Sequence, residues 1–232
     1  MNTRNELLCA WSGVVFLILF TLGFWPLAHF IPPPLPSASA AEIAAMYQQH
    51  GVQIRLGLVL MVVSWSLIIP FAAAISIQIN RMHGGPSVLS YTQLASASSN
   101  AVLTIIPELL WATASFRPEE NAELVRVLND MGWITFLWPV GTFVVQVVAT
   151  GLATLSDKNE QPIFPRWFGF FCLWCALLFL PGVMLIFFKT GPFAWNGLLV
   201  FWLGVVAFFG WYTVTFTVLR ASIIRQGQNA EA

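Results

Sequence analysis

The chain has 232 residues, of which 58% are hydrophobic and 9% charged, and its mean hydropathy is +0.77. Soluble domains carry about 25% charged residues, so this composition excludes a water-soluble fold and a disordered chain. Ten Lys and Arg balance ten Asp and Glu, which leaves no basic footprint for a phosphate backbone and excludes a nucleic-acid partner.

The charged residues cluster, and six long stretches between the clusters are free or nearly free of them. Each stretch is long enough to cross a hydrocarbon layer of about 30 Å at 1.5 Å per residue. A lipid-embedded backbone must bond within its own segment, which requires helix. Membrane β-strands need about 10-residue alternating segments, whereas 198–209 is apolar throughout. The predicted fold is therefore an all-α polytopic bundle, a single transmembrane domain with spans over 8–30, 56–79, 88–115, 132–155, 167–188 and 193–219.

The first span runs into Pro32-Pro33-Pro34, a short polyproline stalk. The small residues from Pro36 to Ala41 resemble a signal-cleavage site, and cleavage would leave five spans. The preceding apolar run is longer than the about 7–15 residues of a signal-peptide core, so the first helix is expected to be retained. Ser37 or Ser39 is placed to cap a short external helix over 40–50. After the second span, Gly84-Gly85-Pro86 makes a tight turn. A second short external helix is expected over 118–130, with Pro118 and the acids Glu119 and Glu120 at its start.

Both termini are expected on the cytoplasmic side. That places Arg4, Arg81, Lys158, Arg166, Arg220 and Arg225 inside, against Arg55, Arg117, Arg126 and Lys189 outside, the sense of the positive-inside rule.

The third span carries the most chemical information. Gln93, Ser96, Asn100, Thr104, Glu108 and Ser115 fall within an arc of about 120° at 100° per residue. A polar stripe in a membrane helix faces protein or water. It either bonds neighbouring helices together or lines a cavity. Glu108 lies about 13 Å below the outer boundary marked by Arg117. A charge in mid-membrane costs at least about 2.5–3.5 kcal/mol, so this carboxyl either has a partner, with Arg55 and Lys189 as the nearest cations, or sits neutral. Pro107 kinks the helix beside it. Gln146 in the fourth span is expected level with Asn100 to Thr104, in amide contact with the third helix.

Eleven tryptophans are present. Trp11, Trp167, Trp25, Trp133 and Trp195 fall at span ends and read as interface anchors. Of the deeper ones, Trp65 and Trp111 are the candidate walls of an aromatic pocket. Pro70 and Pro181 interrupt the second and fifth spans at corresponding places, a weak sign of a transporter-type repeat. Cys172 and Cys175 form a C-x-x-C within an apolar helix and read as small hydrophobes. His29, His50 and His83 all lie at or beyond the boundaries, so neither haem nor a metal is expected, and no cofactor is predicted.

The loops Gln161-Pro162-Ile163-Phe164-Pro165-Arg166-Trp167 and Phe187 to Gly197, together with Tyr91-Thr92-Gln93-Leu94, resemble a family of bacterial six-helix integral membrane proteins with no assigned activity. The resemblance implies a bacterial inner membrane and carries over no catalytic residue.

Three functions fit the residues. The first is binding or transport of a lipophilic small molecule in a pocket around the third helix, with Glu108 as the polar contact, Asn100, Thr104 and Gln146 as hydrogen-bonding lining, and Trp111 and Trp65 as walls. The second is an intramembrane enzyme acting on a lipid or steroid-like substrate with Glu108 as acid/base. The third is an accessory subunit whose stripe packs against a membrane-protein partner or a second copy. Membrane lipid is a partner in all three.

Overall fold

A computed structural model describes residues 3–231, with side chains for 3–228. Among these residues the chain is helical and contains no strand. Helix α1 (Thr3–Leu22) continues as a single π-helical turn, Gly23–Leu27. Then come α2 (Ala40–Trp65), α3 (Ile68–Met82), α4 (Val88–Leu103), α5 (Ile105–Ala114), α6 (Ala122–Leu137) and α7 (Val140–Leu155). Helix α8 (Arg166–Phe179) tightens into a 3₁₀ stretch, Leu180–Phe187. A π turn at Leu198–Trp202 opens α9 (Leu203–Glu231).

Five segments are long and apolar enough to cross a membrane: Thr3–Leu27, Ala40–Met82, Ala122–Ser156, Arg166–Phe187 and Leu198–Gln228. The expected third span is not among them. Its polar stripe dilutes its hydropathy, and the helix breaks at Thr104 between α4 and α5.

The two expected external helices are not separate elements. Residues 40–50 are the start of α2, which runs unbroken to Trp65. Ser39 caps it in a reciprocal box with Glu42, the arrangement that satisfies free N–H groups at a helix start. Residues 118–121 form a turn, and α6 begins at Ala122 with Asn121 bonding the Leu124 N–H.

Six segments pack in chain order and close on themselves. Helix α1 lies against α3, α3 against α4, α4 against α7, α7 against α8, α8 against α9, and α9 returns to α1. The two chain ends meet at one end of this ring. There Gln78 of α3 donates to Glu6 of α1 (2.8 Å) and to Gln226 of α9 (3.2 Å), and its carbonyl oxygen accepts from Ser222 (3.0 Å) and from Arg81. Arg81 also donates to Gln226 (2.6 Å). A buried carboxylate held by two amides satisfies the rule that buried polar groups are bonded. At the opposite end, Arg55 donates to the Ser115 carbonyl (2.7 Å), Tyr47 to Asn129 (3.2 Å) and Trp195 to the Pro34 carbonyl (2.8 Å). Trp195 and Trp133 are therefore buried members of this end rather than interface anchors, while Trp11, Trp25 and Trp167 are exposed as expected.

Candidate functional site

Every segment departs from α geometry in the half of the bundle away from the chain ends. A proline ring collides with the carbonyl four residues back and supplies no N–H. Pro26 accordingly sits in the π turn that begins at Gly23. Pro70 follows the break at Ser66–Leu67, and Pro107 follows the break at Thr104. Pro139 separates α6 from α7, and Pro181 opens the 3₁₀ stretch after α8. The sixth segment has no proline; its π turn starts after Gly197. Irregular backbone at membrane depth is tolerated where it borders a cavity or buried protein, and π turns recur at functional sites.

These breaks surround one pocket. All six segments contribute to its wall, which includes Phe20, Trp65, Asn100, Phe136, Phe143, Gly204 and Phe208. Its volume is about 130 Å³. Phe20 and Phe179 lie 13–14 residues from the Glu6 and Arg166 turns, so the pocket sits about 20 Å from the chain-end side. Aromatic contacts frame it: Phe143 and Phe208 have ring centroids 5.5 Å apart, Phe20 and Trp65 5.2 Å, and Phe24 and Phe201 6.3 Å. Ile31 joins the wall from the segment after the π turn, where His29 adopts a positive φ of 56° and stacks on His50 at 4.2 Å.

The polar stripe of the third segment divides into three parts. Nearest the chain ends it bonds helices together. Gln93 donates to the Ala72 carbonyl (2.9 Å) and to Ser76 (2.7 Å), and Ser76 and Ser90 exchange bonds with each other's carbonyls. In the middle, Asn100 and Thr104 lie on the pocket wall. Beyond them, Glu108 is 1% exposed and sealed behind Trp65, whose indole N–H donates to its Oε1 at 2.6 Å. Its Oε2 has no partner among the described residues. Neither Arg55 nor Lys189 pairs with it: Arg55 is engaged by Ser115, and every ion pair among the described residues lies in the 117–130 region.

Of the six predicted site residues, the structure brings Trp65, Asn100 and Thr104 together at the pocket, with Glu108 behind the Trp65 ring. Gln146 is off the wall. It lies level with Gln93, to which it donates at 3.4 Å, and not level with Asn100 to Thr104. The fourth-segment partner of Asn100 is instead Thr142, at 3.1 Å. Trp111 is also off the wall. It packs behind the wall with Phe30, Trp133 and the wall residue Phe136, its ring against Gly132.

Sequence reasoning missed most of the wall, above all Phe20, Phe136, Phe143, Phe201 and Phe208. The signal that could have found it is the set of five prolines, one in each of the first five spans, at Pro26, Pro70, Pro107, Pro139 and Pro181. Chemically the wall is largely apolar. Among the described residues it carries no ionisable side chain, and its side-chain hydrogen-bonding groups are Thr21, Asn100, Thr104 and the indoles of Trp25, which is exposed, and Trp65, which is spent on Glu108. Comparison with protein-family models, curated proteins and solved structures finds no match for this chain.

Proposed function

We propose that this chain is a bacterial inner-membrane protein that crosses the bilayer six times, with both termini cytoplasmic, and binds or moves a lipophilic small molecule through the pocket. The observation that carries this reading is the coincidence of an aromatic pocket with a helix break in every segment around it. Meeting chain ends fit an even number of crossings, and the excess of Lys and Arg on that side fits a cytoplasmic face.

Magnitude narrows the guest. An engineered apolar cavity of about 150 Å³ accepts benzene or xenon. A pocket of about 130 Å³ therefore suits one small ring system or a length of hydrocarbon chain. Two features weigh against the other functions. Glu108 lies behind Trp65 and not on the wall, where an acid/base would need to be. Gln93, Asn100 and Glu108 face inward, whereas an accessory interface would present them outward.

Photolabelling tests the reading. With the protein in lipid nanodiscs, a small aryl diazirine should label residues between Phe201 and Phe209 saturably, and excess indane should compete. Labelling confined to outward-facing residues such as Trp174 and Leu177, and insensitive to competitor, would remove the proposal.

A further inference from the structure

On the buried part of the pocket wall, one side-chain hydrogen-bonding group is left unpaired among the described residues. Asn100 is 8% exposed and sits on the wall. Its Oδ1 accepts from Thr142 Oγ1 at 3.1 Å. That hydroxyl has no other acceptor for its proton among the described residues, so turning the amide over would leave the proton unpaired, which favours the oxygen toward Thr142. The amide N–H₂ has no acceptor among the described residues. The other buried or half-buried polar side chains of the wall have already donated their protons, and the remaining indole, Trp25, is exposed. Thr104 donates to the Asn100 and Ala101 carbonyls, both at 3.0 Å, Thr21 donates to the Leu17 carbonyl at 2.7 Å, and the Trp65 N–H goes to Glu108. An amide N–H₂ supplies two donors, and one left unpaired in an apolar wall favours a guest that accepts from it.

Resting on the pocket reading above, we propose that the pocket selects neutral lipophiles bearing a carbonyl-type acceptor oxygen, held by Asn100 Nδ2 with the rest of the guest against the phenylalanine wall. Thr142 is a positioning residue, since it sets which end of the amide faces inward. A charged guest is disfavoured because no side chain on the wall can neutralise it.

Three bicyclic competitors of similar size separate the outcomes in the nanodisc photolabelling assay: 1-indanone (acceptor only), indane (neither) and indole (donor). Concentrations are expressed as mole fractions in the bilayer. In the wild type, 1-indanone is expected to compete about tenfold more strongly than indane, the value of one neutral hydrogen bond. Asn100→Leu should bring the two together while leaving indane unchanged. Thr142→Val, which frees the amide to turn over, should narrow the difference between 1-indanone and indole without abolishing binding. Equal competition by 1-indanone and indane in the wild type overturns the proposal while the pocket stands, as does an advantage that survives in Asn100→Leu, or indole outcompeting 1-indanone. Failure of all three to compete overturns the pocket reading and this proposal with it.

Discussion

The two halves of this bundle are made from the same six segments and differ in how their backbones meet. Near the chain ends the helices are regular and are tied across the ring by Gln78, Gln93, Ser76, Ser90 and Glu6. In the far half every segment breaks, and aromatic rings surround a void. Association of helices in lipid depends on close packing and interhelical bonds, because lipid tails are as apolar as the side chains they replace. Around the pocket, large aromatic rings line a space that they do not fill.

Substitutions in each half should break or sharpen this contrast, read as changes in resistance to denaturant or heat in detergent. The largest effect is expected at the sealed end. Gln78→Leu removes the group bonded to Glu6, Arg81, Ser222 and Gln226, leaving a buried carboxylate and guanidinium short of partners, at a cost of about 3–5 kcal/mol. Next comes Trp65→Phe, which strips Glu108 of its hydrogen bond and should cost about 2–3 kcal/mol. A glycine pair follows. Gly57 lets α2 pack against the first segment, and a Cβ there would press into the Gly23 carbonyl oxygen and the Ala28 nitrogen, so Gly57→Ala should cost about 1–3 kcal/mol. Gly204 on the pocket wall has no heavy atom within 4 Å of its would-be Cβ, so Gly204→Ala should be nearly neutral. A small effect is also expected of Glu108→Gln. Its amide oxygen still accepts from Trp65, so stability should fall by less than about 1 kcal/mol. A loss as large as that of Trp65→Phe would mean that charge, and not the bond, holds the acid in place.

How much of this was legible in the sequence follows from the same physics. Five of the expected spans are long apolar segments because charges are costly in lipid and mark its limits. The polar stripe marked an inward face, and Asn100, Thr104 and Trp65 do reach the pocket. The phenylalanine wall left no trace, because a ring facing a dry cavity and a ring facing lipid have the same periodicity; neither contrasts with its neighbours. Gln146 sits one helical turn nearer the chain ends than expected, level with Gln93, and Thr142 takes the place opposite Asn100. Partnership between Glu108 and Trp65 joins residues 43 apart in the chain, and each was singled out separately with no local pattern to couple them.

The most direct measurement is diffraction from crystals of the membrane-extracted protein equilibrated with bromobenzene, comparing the wild type with Gly204→Phe, whose added ring should occupy the void. Anomalous scattering should place bromine among Phe20, Phe143 and Phe208 in the wild type and show none there in the variant, with both proteins equally stable. Bromine found only on the outer, lipid-facing surface of the wild type, or unchanged in the variant, would contradict a pocket made by the broken half of the bundle.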